Sequence, residues 1–480
     1  MFNGRRVIYT DVESIDHRNV IDVLSNAIVT HLFNRVEIQI LEDYYKGRQK
    51  IVNRVKSIRP EINNKICENH ANEIVSFKTG YLLAEPIQYI ARKGRESSLN
   101  DINYLNDCAL LNNKESLDKR LANWFHICGT AYRISLPREK DEVGENEAPF
   151  RDYVLNPKNT FVIYSSSLGH EPMAGVKYIY RQNGTIVYSV WTKDWYYEII
   201  DGEIINEFKF KNDDGSEETF KGQPHSCSGI PIIEYPLNDA RLGAFEIVID
   251  ILDAMNMVAS NRIDAIEQFV QSLMLFCNCD IDEETFKSLK ELGALKYKSD
   301  SSNPAKVEIL SDELNQMQTQ TLVDYMYDVV LVICGMPNRN GGSSTSDTGA
   351  AVIMRDGWSA AETRAKDTES MFCEAETKYL RLILSYIKEF KPDFDLPLVA
   401  LRINFTRRNY ENIATKSQVL INLLSCDKVH PLYAYISCGM FPDPEEAYNK
   451  GMEYYEQNKG GSINGQTDPV PNPNDGEPTE

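Results

Sequence analysis

SDELNQMQTQTLVDYMYDVVLVICGMP (residues 311–337), NRNGGSSTSDTG (338–349) and AAVIMRDGWSAAETRAKDTESMFCEAETKYLRLILSYIKEFK (350–391) decide how this chain is organised. The first segment is apolar and acidic at helical spacing, and the second is a loop of small and polar residues. The third has no proline, and Gly357 is its single glycine. A helix over all of 350–391 would be about 60 Å long at ~1.5 Å per residue, where globular helices average roughly 11–12 residues. Two helices joined by a Gly/Ser/Asn loop, the second unusually long, point to a mechanical or oligomeric part rather than a compact enzyme core.

Upstream, residues 20–58 read as helix, with Val20, Val23, Leu24, Ala27 and Ile28 at helical spacing. Lys65–Lys78 reads as an amphipathic helix closing on Thr79-Gly80, and Tyr81–Ile90 as extended. Asp101–Leu110 and Glu115–Gly129 read as helices, followed by a strand, AYRISLP. From Phe150 to Tyr235, short β-rich runs alternate with Asn-Gly and Asp-Gly turns, the pattern of antiparallel hairpins. Leu242–Phe276 reads as a second long helix. Residues 277–310 read as a small α/β insertion, with a helix near Glu283–Leu292 and strands ALKYKS and AKVEIL. The helices at 242–276 and 312–334 flank this insertion, so they are expected to form an antiparallel pair with a small domain at its tip. LPLVALRINFTRR (396–408) reads as a strand. Asn412–Leu424, His430–Ser437 and Pro444–Gln457 read as short helices, and residues 458–480 as a disordered tail. The fold class is therefore α+β, mainly helical, with long helices and a small antiparallel β region.

Lys+Arg number 51 against Asp+Glu 71, a formal net charge of −20. Nucleic-acid binders neutralise phosphates with a basic footprint, and this chain has none overall. The ten cysteines are scattered without a CxxC pair, which reads as reduced intracellular thiols and argues against zinc. The start, MFNGRRVIYTDVESID, lacks an apolar core of the secretory kind, and no apolar run is long enough to span a bilayer. A cytosolic protein without a membrane partner is expected.

Catalytic signatures are missing as well. GxxxxGK[ST], GxGxxG, HExxH and GxSxG do not occur, and the seven histidines show no ligand spacing. The loop at 341–349 precedes a helix, where backbone amides can hold an anion. Without a following lysine it reads as a connector, with Ser346 or Asp347 capping the next helix. No enzyme, cofactor or metal is expected.

The order YYKGRQKI, PEINNKICENHANEIVSFKTGYLLAEPIQY and a helix ending in GTAYRI resembles the portal proteins of tailed bacteriophages infecting Gram-positive bacteria. FVIYSSSLGHEPMAGVKYIY, IIEYPLNDARLGAFEIVIDILDAMNMVASNRIDAIEQF and MPNRNGGSSTSDTGAAVIM extend the resemblance over residues 35–455. Two departures are Asn238-Asp239, where the family often has Asn-Asn, and SSTSDTG, where its loop commonly reads Ser-Ser-Gly. The resemblance implies a portal fold with wing, stem, clip and crown, and a dodecameric ring at one capsid vertex through which double-stranded DNA is packaged and ejected. It implies a wing at 1–241 completed by a strand at 392–408, stem helices at 242–276 and 312–334, and a clip at 277–311. It also implies a tunnel loop at 335–349, a long helix at 350–391 kinked near Gly357, and a crown at 409–457. The implied partners are the packaging terminase, capsid and scaffolding proteins and a head-tail adaptor, in the virion and in the host cytoplasm during assembly.

On this reading the tunnel loop centres on Asn338, Arg339, Asn340, Gly341, Gly342, Ser343 and Ser344. The channel-lining acids are Asp312, Glu313, Asp324 and Asp328, with weak basic contacts confined to Arg339, Lys296 and Lys298. The consecutive apolar residues Val329–Ile333 suit a helix that touches both its partner and neighbouring subunits. The alternatives are another ring-forming virion structural or head-tail adaptor protein without a DNA-conducting pore, and an enzyme binding a nucleotide at 335–349.

Overall fold

The computed structural model describes residues 4–92, 98–144, 146–211, 217–270, 273–277, 306–310, 316–338, 357–407, 413–441 and 444–458. Its helices are α1 (Val20–Tyr45), α2 (His70–Leu82), α3 (Leu99–Leu111), α4 (Lys114–Cys128), α5 (Ile249–Val270), α6 (Gln316–Cys334), α7 (Trp358–Phe390), α8 (Ile413–Leu424), α9 (Pro431–Cys438) and α10 (Pro444–Asn458). The described residues up to 338, with 357–407, form one compact unit, and 413–458 belong to a second.

The hairpin-rich region forms the main sheet. Its strands lie in the order Ile8–Thr10, Thr160–Ser165, Pro172–Tyr180, Ile186–Trp191, Trp195–Ile200 and Gln223–Pro224. The first pairing is parallel, with Ile8 opposite Ile163, and the rest are antiparallel. One face is covered by α1, whose Val20, Val23, Leu24 and Ala27 pack on Phe161, Val176, Val190 and Tyr197. A second sheet orders Ile232–Pro236, Thr130–Pro137 and Phe150–Leu155, and α4 enters it directly through Gly129 at φ +82°. A Cβ at Gly129 would come within 1.9 Å of the Arg241 carbonyl oxygen, so this crossing requires glycine.

The long helix α7 owes its helicity to Ala, Glu and Lys, with surface pairs such as Glu374–Lys378 at 3.0 Å. Phe372, Ala375, Tyr379, Leu380, Ile383 and Ile387 recur every three or four residues and bury one face against α4 and the second sheet. In the middle of that face lies Glu376, fully buried. It accepts hydrogen bonds from Tyr89 at 2.6 Å and Tyr235 at 2.8 Å, and Lys114 is 2.8 Å away. Arg133 reaches Glu376 at 3.4 Å and also pairs with Asp118. Tyr379 donates to Asp152 at 2.6 Å, and the Arg133 guanidinium lies over its ring at 4.5 Å. Burial alone would raise the Glu376 carboxyl, but Lys114 and Arg133 outweigh it and hold the group at about 2.

In the second unit His430 Nδ1 caps α9 by accepting from the Leu432 amide at 3.2 Å, and Gly439 ends that helix at φ +60°. Tyr435 packs against Phe441 and Tyr448.

Several elements differ from the expectation. The helix expected over 20–58 stops at Tyr45, where Gly47 turns left-handed at φ +83° and a 3-10 turn follows at Lys50–Asn53. The helix expected at 65–78 begins at His70, because Asn69 accepts from the Asn72 amide and caps it, and it runs on to Leu82. Residues 273–277, expected as the end of a helix, form a strand antiparallel to 306–310; so short an apolar run does not distinguish the two states. The strand expected at 396–408 shrinks to Leu401–Asn404, paired with Gln88–Ala91. Gly357 is not a kink. At φ +83° it is the N-cap from which α7 starts, a backbone that a right-handed helix cannot continue through.

Two outcomes are expected. Replacing Glu376 with Ala leaves Lys114 and Arg133 buried without that counter-charge, and a urea titration should show a loss of about 3–5 kcal/mol. His31 on α1 is buried, with Nε2 3.0 Å from the Lys158 carbonyl oxygen and 3.2 Å from the Tyr178 hydroxyl. Burial chiefly, and Arg35 to a smaller extent, lower its pKa from 6.5 to about 4. The folded chain therefore holds His31 neutral, and its contribution is present above pH 6.5 and is lost as pH falls towards 4. The loss is at most about 3 kcal/mol. His31→Gln should flatten the stability profile in that window.

Candidate functional site

Helices α5 and α6 form an antiparallel pair. Near their base the Cys334 thiol lies 3.7 Å from the Ala244 carbonyl oxygen, and further out Arg262 donates to Gln320 at 2.7 Å. Beyond these contacts, Leu273 stands opposite Leu310 in the short ladder that closes the pair. The base is held by Phe245, Val248, Leu252 and Met255 against Val330, Leu331, Cys334 and Met336.

A polar ladder on α5 binds the segment before α2. Asn256, Ser260 and Asp264 are spaced by four and share one buried stripe. They accept hydrogen bonds from the amides of Glu68 at 2.8 Å, Ile66 at 2.9 Å and Asn64 at 2.7 Å. Two extended residues rise about 6.6 Å and one helical turn about 5.4 Å, so every second amide meets one side chain per turn. Asp264 also pairs with Arg54 at 2.9 Å and Lys56 at 3.0 Å. Burial works against its charge, but hydrogen bonds from Asn64 and Lys56 and the nearby Arg54 hold its carboxyl below the usual range. Lys50 reaches Asp253 at 2.6 Å, and Arg5 reaches Glu246 at 2.5 Å.

These pairs offset the negative charge that the acids of α5 would otherwise present. Glu246, Asp253 and Asp264 are matched by cations from residues 5–56, far away in sequence. The acids of α6 are different. Asp324 and Asp328 are exposed, and the helix carries no Lys or Arg. Asp324 accepts from Gln320 at 2.7 Å, and Asp328 from Asn338 at 2.9 Å. Asp312 and Glu313 lie outside the described residues. So do Lys296, Lys298, Arg339, Asn340, Gly341, Gly342, Ser343, Ser344, Ser346 and Asp347. The flanks of that loop are close together, since a Cβ on Gly357 would stand 3.6 Å from the Met336 carbonyl oxygen.

Apolar side chains remain outside the core on these elements. Val332 and Tyr325 of α6 are 78% and 65% exposed, and Val29, Leu32, Phe33 and Val36 form an exposed stripe on α1. Among the described residues no helix is long and apolar enough to cross a membrane.

The family described as "Phage portal protein, SPP1 Gp6-like" matches residues 28–450. The chain belongs to that family. Portal proteins are structural parts of the virion rather than enzymes, which agrees with the missing catalytic signatures. No curated protein matches the chain. Among solved structures, a chain from the "Neck of empty GTA particle computed with C6 symmetry" has a TM-score of 0.41 at 10% identity, covering 78% of this chain and 90% of that one.

The polar ladder of α5 was absent from the sequence reading, although Asn256, Ser260 and Asp264 at four-residue spacing were its signal. Asp264→Ala should release residues 54–66 and cost about 3 kcal/mol. Trypsin should then cut at Arg54 or Lys56 at concentrations that leave the parent chain intact.

Proposed function

We propose that this portal-family chain assembles into a ring of about twelve copies at one capsid vertex and conducts double-stranded DNA during packaging and ejection. Residues 1–241 and 392–408 are the wing, 242–276 and 312–334 the stem, and 277–311 the clip. Residues 335–349 are the tunnel loop, α7 is the long helix, 409–457 are the crown and 458–480 a tail. In this assignment α5 and α6 are the ordered stem, and the strands at 273–277 and 306–310 lead into the clip.

The observation that carries the reading is that one chain bears exposed apolar stripes on two different elements, α1 and α6. Rotational rings use heterologous interfaces, in which one surface of a subunit meets a different surface of the next. A second support is that the exposed acids of α6 face no cation on their own helix. A wall of that sign repels phosphate, so DNA slides without adhering, the reverse of ordinary DNA binding. Motion is driven by a separate packaging terminase, because the chain has no phosphate loop. Capsid and scaffolding proteins meet the ring in the head, and a head-tail adaptor meets it below, in a siphophage of a Gram-positive host.

Negative-stain imaging tests the reading directly. Rings of about twelve subunits with an open centre are expected; closed rings would favour an adaptor without a pore, and monomers stabilised by nucleotide would favour an enzyme. Asp324→Lys with Asp328→Lys should leave ring yield unchanged and lower the DNA packaged per capsid by about tenfold or more. Gly341→Pro with Gly342→Pro should likewise impair packaging and spare assembly.

A further inference from the structure

A cleft of about 650 Å³ opens where α2, the approach to α5, the end of α6 and the first turns of α7 meet. Two cations share it. Lys78 on α2 is half-buried, and Arg364 on α7 lays its aliphatic stem over Gly335, where a Cβ would come within 2.7 Å of the Arg364 Cγ. Neither has an ion-pair partner among the described residues. Burial, and then the Arg364 charge, lower the Lys78 pKa.

Elsewhere in this acidic chain, the most deeply buried cations are matched. Arg5 has Glu246, Arg54 has Asp264, Lys114 and Arg133 have Asp118, Arg241 has Glu234, and Arg407 has Glu362 and Glu369. Lys78 is half-buried beside the exposed Arg364, and a like charge so close is unfavourable to it until an anion joins the pair.

The surroundings choose the anion. Ile247 and Ile333 line the same cleft at 54% and 36% exposure, an apolar border suited to protein. Asp239 and Asp367 also line it. They oppose a nucleic-acid backbone, which carries a charge every ~1.7 Å, more strongly than a single carboxylate. With 71 acids against 51 bases, a second copy of this chain has carboxylates to spare.

We propose that Lys78 and Arg364 form an acceptor site for a carboxylate delivered by a second copy of the chain, so that the site is complete only in the oligomer. The inference rests on the ring reading. A neighbour's Asp or Glu enters between the two cations while its flanking apolar residues cover Ile247 and Ile333.

The test compares the full-length chain with Lys78→Gln/Arg364→Gln and with Lys78→Arg, by light scattering across a salt series and by melting of the unassembled chains. The double variant should lower ring formation by about tenfold at fixed concentration, with the melting of the unassembled chain unchanged, and Lys78→Arg should retain rings. Rings at parental yield from the double variant overturn the proposal, and so does a variant that assembles normally but loses only DNA retention, since the cleft would then hold phosphate. Acetic anhydride on the unmodified protein gives a readout independent of variant folding. Lys78 should be acetylated in the unassembled chain and protected in the ring, and equal labelling overturns the inference. If the parental chain forms no ring under any condition, the ring reading falls and this inference falls with it. Rings that leave Lys78 open to labelling refute this inference alone.

Discussion

The buried contact of Glu376 with Lys114 and Arg133 is the constraint on which the larger unit depends. It joins α7 to α4 and to the strand Thr130–Pro137 at a place where no water can compensate a missing partner. Tyr89 and Tyr235 close the remaining acceptor positions, and Asp118 shares both cations. Ions out of water are costly, and only this density of mutual partners makes the arrangement tolerable. Its value is specificity, because α7 can lie in one register only: a shift of one residue would bury an unmatched charge.

The same logic orders the approach to the helix pair. Segment 64–68 has no strand partner among the described residues, so its amides need acceptors, and α5 supplies one per turn. Arg54, Lys56 and Lys50 follow the backbone in and neutralise the acids of α5. The helix that is richest in acid is thereby the less charged of the two in the fold, and α6 keeps its charge on the outside.

Membership of the portal family agrees with an architecture whose unmet needs lie at its surface. Apolar stripes on α1 and α6 and the unmatched cations beside α7 each lack something that the isolated chain does not provide. In the proposed ring the neighbouring copy supplies all three. The junction between the second sheet and the approach to α5 is meanwhile held tightly, with Arg241 gripping Glu234 at 2.9 Å and 3.1 Å and the Arg5 amide donating to the Arg241 carbonyl.

By itself the sequence determined what depends on local periodicity and turn chemistry. The helices α3 and α4, the hairpins between Phe150 and Pro236, the paired long helices and the family resemblance could all be read from spacing and order. Gly129 marked a helix end because only glycine takes that backbone angle cheaply. Tertiary structure alone decided where the charges went. Which cation meets Asp264, Glu246 or Glu376 depends on residues up to 262 positions apart, and no local pattern encodes that separation. It also decided that 273–277 is a strand, since an apolar pentapeptide takes the state of whichever partner it finds. An exposed acidic face is consequently a property of α6, through Asp324 and Asp328, in the folded chain.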